Sequence, residues 1–74
     1  MSRPVKRSFS IAGHRTSISL EAPFWMALKD AAAREAVSVA QLVARIDGHR
    51  DGANLSSAVR VWLLAYYRAQ IGDR

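Results

Sequence analysis

The feature that most constrains this chain is a change of parity within its first twenty residues. Ser8-Phe9-Ser10-Ile11 alternates polar and apolar, and so does Arg15-Thr16-Ser17-Ile18-Ser19-Leu20, with Thr16 as the exception. Such alternation predicts strands, because successive side chains point to opposite faces. The apolar residues are odd in the first segment (Phe9, Ile11) and even in the second (Ile18, Leu20). One unbroken strand cannot keep both pairs on the same face. Ala12-Gly13-His14 must therefore hold a bulge, a bend or a turn, and Gly13 tolerates the backbone such a break needs. Two arrangements stay open: a kinked strand that extends the ribbon, or a hairpin that folds back. In the second segment Ile18 and Leu20 require a core, while Arg15, Ser17 and Ser19 fall on the opposite face.

Helices follow. Pro23 opens a helical pattern at a position where its missing N–H costs nothing. Trp25, Leu28 and Ala32 make its apolar stripe, widened by Phe24 and Ala31, and the helix is predicted to reach Glu35. Ala36-Val37 connects to a second helix, where Ser38 and Gln41 fit a capping box and Val37 with Leu42 a hydrophobic staple. Val39, Leu42, Val43 and Ile46 form its stripe, which ends near Asp47. Residues 48–54 are a polar loop with glycines near both ends, and Asn54 or Ser56 caps a last helix over residues 55–71. That helix carries Val59, Leu63, Tyr66 and Tyr67 on one stripe and Val61, Trp62 and Leu64 on other sides. A helix so apolar all round is buried or meets a second subunit. The expected fold is mostly α with a short N-terminal β-ribbon. Residues 1–7 are expected to form a flexible basic arm, residues 8–71 the domain, and residues 72–74 a short tail.

Seventy-four residues make one domain at most. A lone core of that size supplies only about 3–5 kcal/mol. With no cysteine there is neither disulfide nor thiolate cluster to help. Half the residues are hydrophobic, which points to a homodimer over a compact helical monomer. The net charge is +5, and its distribution matters more than its size. Arg3, Lys6, Arg7 and Arg15 lie in the first twenty residues without a single acid, and all six acids lie from Glu21 onward. A field of this kind favours a polyanion, nucleic acid before anionic membrane. No secretory signal and no apolar run of about 18 residues is present, so a cytoplasmic protein is expected. His14 and His49 are isolated, no glycine-rich phosphate loop occurs, and no Ser–His–acid set is credible. No enzyme activity, metal, cofactor or small-molecule effector is expected.

The segment RTSISLEAPFWMALKDAAAREAVSVAQLVARI resembles the ribbon-helix-helix family of bacterial DNA-binding proteins: an alternating basic–apolar–hydroxyl strand runs into a Pro-opened helix, a tight turn and a second helix. SFSIAGHRTSISLEAPFW followed by NLSSAVRVWLLAYYR is similar to a compact bacterial subfamily with an added C-terminal helix. The resemblance implies an intertwined homodimer in which each chain gives one strand to an antiparallel ribbon. That ribbon would enter the major groove, which is about 12 Å wide and admits two strands. It implies base reading by Arg15, Ser17 and Ser19, and a phosphate held by the amides of Val37, Ser38 and Val39. Lys6 and Arg7 would add nonspecific phosphate contacts. Ile18, Leu20, Trp25, Leu28, Leu42, Val43 and Ile46 would form the dimer core. A second mapping takes residues 55–68 as the family's second helix and moves the phosphate clamp to Leu55-Ser56. The implied role is a transcriptional repressor or autoregulator. The alternative is an adaptor or antitoxin-like protein that docks a partner on its apolar helices.

Overall fold

The computed structural model describes residues 3–50 and 54–72. It settles the parity conflict with a hairpin. Strand β1 (Val5–Ile11) pairs antiparallel with β2 (His14–Leu20), and the register couples odd positions to even ones: Val5 to Leu20, Phe9 to Thr16, Ile11 to His14. Folding back across two residues brings Phe9, Ile11, Ile18 and Leu20 onto a single face. The turn residues Ala12 and Gly13 have φ of 50° and 83°. Positive φ at both central positions gives the turn a backbone twist that matches the twist of the strands. Both strands of the ribbon thus come from one chain, where one strand from each of two chains was expected. The strand begins at Val5, so the basic arm is shorter than residues 1–7; residues 1 and 2 lie outside the described residues.

Helix α1 (Ala22–Arg34) starts with Pro23 in its first turn and ends in a Schellman motif. The Val37 amide donates to the Ala32 carbonyl (3.0 Å) and the Ala36 amide to Ala33 (3.1 Å). Ala36 takes the left-handed conformation (φ 58°) that this motif requires. A β-carbon is unfavourable there. Ala36→Gly is therefore expected to raise stability by about 0.5–1 kcal/mol in a urea melt. A loss of stability in that melt would refute the left-handed cap.

Helix α2 (Val39–His49) has the capping box read from sequence: the Ser38 hydroxyl accepts from the Gln41 amide (3.0 Å) and the Gln41 side chain accepts from the Ser38 amide (2.8 Å). Helix α3 (Leu55–Gly72) is capped by Asn54, whose Oδ1 accepts from the Ser57 amide at 3.1 Å. Of the predicted tail, residues 73 and 74 lie outside the described residues.

The three helices cover one face of the hairpin. Ile18, Leu20, Trp25, Leu28, Leu42, Val43 and Ile46 are all buried, together with Ile11, Leu55, Val59 and Leu63. The seven residues expected to form a dimer core are thus enclosed by their own chain. The reason is α3, which lays Val59 and Leu63 over them where a partner was expected. Small side chains at Ala31 and Ala32 let this close approach occur. Thr16, the polar intruder on the inward face of β2, is half-buried opposite Phe9, and Phe9 supplies the apolar surface that Thr16 lacks. Two tyrosines tie α3 to α1: the Tyr67 hydroxyl donates to Asp30 (2.8 Å) and lies 3.1 Å from the Ala27 carbonyl, and Tyr66 reaches Glu35 (3.1 Å).

Candidate nucleic-acid interface

With the apolar face of the hairpin against the helices, the other face is turned to solvent. The register places Lys6 opposite Ser19, Ser8 opposite Ser17, and Ser10 opposite Arg15. These six side chains are the whole outer face of the paired strands, two cations and four hydroxyls, with no acid and no apolar group. All are exposed except Ser19, which is half-buried. The Ser8 and Ser17 hydroxyls stand 3.5 Å apart across the ribbon. Arg15, Ser17 and Ser19 were legible from sequence as one face. Ser8 and Ser10 were not assigned there, although their alternation was visible, because only the strand pairing turns them to the same side.

Helix α3 fixes the far edge of the ribbon. The Ser19 amide donates to the Ser56 hydroxyl (3.0 Å), and Arg60 donates to the Ser19 carbonyl (3.1 Å). Arg60 also pairs with Glu21 (3.0 Å) and lies over the Phe24 ring. Two backbone groups on the outer edge of β2 are thereby satisfied, so further strands cannot add at that point. Glu21 is held below the usual carboxylate range, chiefly by a hydrogen bond to its own backbone and then by Arg60. Sequence pointed to Ser56 only as a helix cap or phosphate clamp and did not single out Arg60; nothing local links either to position 19.

Charge is sorted between the layers. Each of the four described acids is paired with an arginine: Glu21 with Arg60, Asp30 with Arg34, Glu35 with Arg45, and Asp47 with Arg50. Asp30 is held below its ordinary range, first by the Tyr67 hydroxyl and then by Arg34. These pairs are too exposed to contribute much stability, but they offset the charge of Arg34, Arg45, Arg50 and Arg60. Among the described residues the cations without a carboxylate partner are Arg3, Lys6, Arg7, Arg15, Lys29 and Arg68, and four of these six lie at or on the hairpin. Lys6 is on the outer face with Arg15. Arg7 is not; its guanidinium lies over Trp25 on the helix side, 5.2 Å from the ring centroid.

The amides assigned to a phosphate clamp are partly occupied. Val37 N–H is bonded to Ala32, and Ser38 N–H to Gln41. In the second mapping, the Ser56 hydroxyl is engaged with Ser19. His14 is exposed at the turn end of β2. His49 lies on α2, with Nδ1 2.9 Å from the Arg45 carbonyl. Among the described residues no three His, Cys, Asp or Glu side chains come together in a way that could hold a metal ion, and no helix is long and apolar enough to cross a membrane.

The comparisons agree with this architecture. An uncharacterized protein from Bordetella pertussis Tohama I, of solved structure, is 35% identical and superposes with a TM-score of 0.79 over 95% of this chain. This chain spans 60% of that protein's length. No curated protein matches. The family model for the ribbon-helix-helix domain matches residues 4–67, which takes in the hairpin, α1, α2 and most of α3. On that match, and on a two-stranded antiparallel ribbon backed by helices, the chain belongs to the ribbon-helix-helix domain family.

Proposed function

We propose that this protein is a sequence-specific DNA-binding regulator, acting as a repressor or autoregulator, that lays the outer face of its hairpin in the major groove. The observation that carries this reading is the composition of that face: Lys6, Ser8, Ser10, Arg15, Ser17 and Ser19, while each described acid is paired with an arginine elsewhere. A two-stranded ribbon fits the groove. Arg15 can fork onto guanine O6 and N7, and the serines are short enough to let the backbone sit deep and to donate or accept at several base edges. Lys6 serves the phosphates. Family membership supports the same reading. It also supports a homodimer.

The test is a duplex carrying the region upstream of the protein's own gene, compared with a scrambled duplex across a salt series. Preference that survives rising salt is expected. Arg15→Ala should cost about 1–3 kcal/mol on the preferred duplex and relax preference at one base pair. Equal loss on both duplexes would remove Arg15 from base reading.

One observation favours a second reading, in which a protein partner is bound. Val61, Leu64 and Ile71 are 64%, 60% and 63% exposed along one side of α3. Their spacing of three and seven residues sets them along one side of the helix, with the exposed Arg68 between Leu64 and Ile71. A second copy of this chain is the first candidate to cover that side. Leu64→Glu should convert a dimer to a monomer in sedimentation equilibrium and leave the fold intact, because Leu64 contributes little to the core. An unchanged sedimenting mass would take that side of α3 out of self-association.

A further inference from the structure

The cations that the helices do not neutralise are not all on the outer face. Arg7 and Lys29 line one open cleft of about 460 Å³ between β1, α1 and the start of α2, with Phe9, Trp25, Ser8 and Val39 as its remaining walls. We propose that this cleft is a phosphate-binding site held by the side chains of Arg7 and Lys29.

Three observations carry it. First, neither cation has a carboxylate partner, whereas each described acid is already paired with an arginine elsewhere. An anion between two like charges that line one cleft would offset their mutual repulsion. Second, the site is built beforehand. Trp25 is only 4% exposed; its indole Nε1 donates to the Val5 carbonyl (2.9 Å) and its ring stacks with Phe9 at 6.0 Å. The Arg7 guanidinium lies over this fixed ring. A guanidinium stacked on an aromatic face keeps its in-plane N–H donors free, which suits a phosphate. Lys29 follows Trp25 by four residues on α1, so both lie on the same helix face. Third, the amides of Val37 and Ser38 are spent within the chain, which leaves side-chain donors a share in any anion capture at this end of the molecule.

The phosphate has two possible sources. One is the DNA backbone, which rises past the β1 edge when the outer face of the hairpin lies in a groove about 8.5 Å deep. This source rests on the DNA-binding reading above. The other is a free phosphate or phosphomonoester.

The experiment has two arms, each run on the wild type and on Lys29→Gln, an exposed α1 position whose change leaves the core untouched. In the first, the Trp25 indole and Arg7 Nε–H resonances are followed during titration with inorganic phosphate, against chloride at matched ionic strength. A saturable shift beyond the chloride control is expected, and its loss in Lys29→Gln. In the second, the salt slope of binding to a random-sequence duplex is measured. Lys29→Gln and Arg7→Gln should each reduce that slope by about 1. A phosphate response without DNA binding by the wild type would support the site, assign it to a free anion, and defeat the DNA reading alone. A changed salt slope without a phosphate response would support the DNA source. No phosphate response together with unchanged slopes, or with no DNA binding, would overturn the proposal.

Discussion

Trp25→Ala is expected to leave the chain largely unfolded at room temperature. Truncation of a buried Trp costs about 3–5 kcal/mol, which is as much as a core of this size supplies in total. Trp25 carries more than volume. Its ring joins β1 to α1 through Phe9, and its indole N–H holds the Val5 carbonyl at the start of the first strand. Trp25→Phe separates these roles: an aromatic ring stays in the core, the hydrogen bond is lost, and about 1 kcal/mol of further loss is attributable to the donor. Urea melts followed by far-UV circular dichroism would rank wild type, Trp25→Phe and Trp25→Ala in descending stability. In Trp25→Phe, amide exchange should quicken at the β1 end of the hairpin before it does in α2. A wild-type melting curve for Trp25→Ala would show that β1 is not held by this residue.

Ser17→Glu should have the second-largest effect, on binding rather than on folding. Ser17 is exposed at the centre of the outer face, and its side-chain hydrogen bond is the long one to Ser8. A carboxylate there adds no buried charge, so the melt should be unchanged within about 0.5 kcal/mol. On DNA it would be set among phosphates and base-edge acceptors, and like-charge juxtaposition costs on the order of several kcal/mol. Binding should therefore fall by more than about a hundredfold. Ala33→Glu, exposed on α1 away from the hairpin, is the control for net charge alone and should lose far less. Equal losses from the two substitutions would mean that total charge governs binding and that the ribbon face does not.

Much of this molecule was legible locally. The capping box of Ser38 and Gln41, the Pro23 helix start and the Asn54 cap appear as expected, because caps and turns are made by residues a few positions apart. The outward placement of Arg15, Ser17 and Ser19 follows from the period of two alone. The break at Ala12-Gly13 was required by parity. That it is a hairpin was not decided, since a kink satisfies the same alternation; a two-residue gap ending in Gly between strands of opposite parity was the available signal.

The rest depended on which distant residues meet. Alternation says that Ile18 and Leu20 need cover but not who provides it, so a second chain was expected where α3 supplies Val59 and Leu63. The pairing of Lys6, Ser8 and Ser10 with the second strand, the hold of Ser56 and Arg60 on Ser19, and the cleft between Arg7 and Lys29 join positions well apart in sequence. Period and capping are properties of one segment, set by backbone geometry, and the chain states them wherever it lies. Charge cancellation and burial are properties of pairs brought together by packing. Sequence alone therefore determined that this protein has a basic, hydroxyl-bearing strand face and three helices, one opened by Pro23 and two capped by side chains. The tertiary structure paired both strands of the hairpin within one chain, laid α3 over the core, and left the described cations without carboxylate partners mostly along the hairpin.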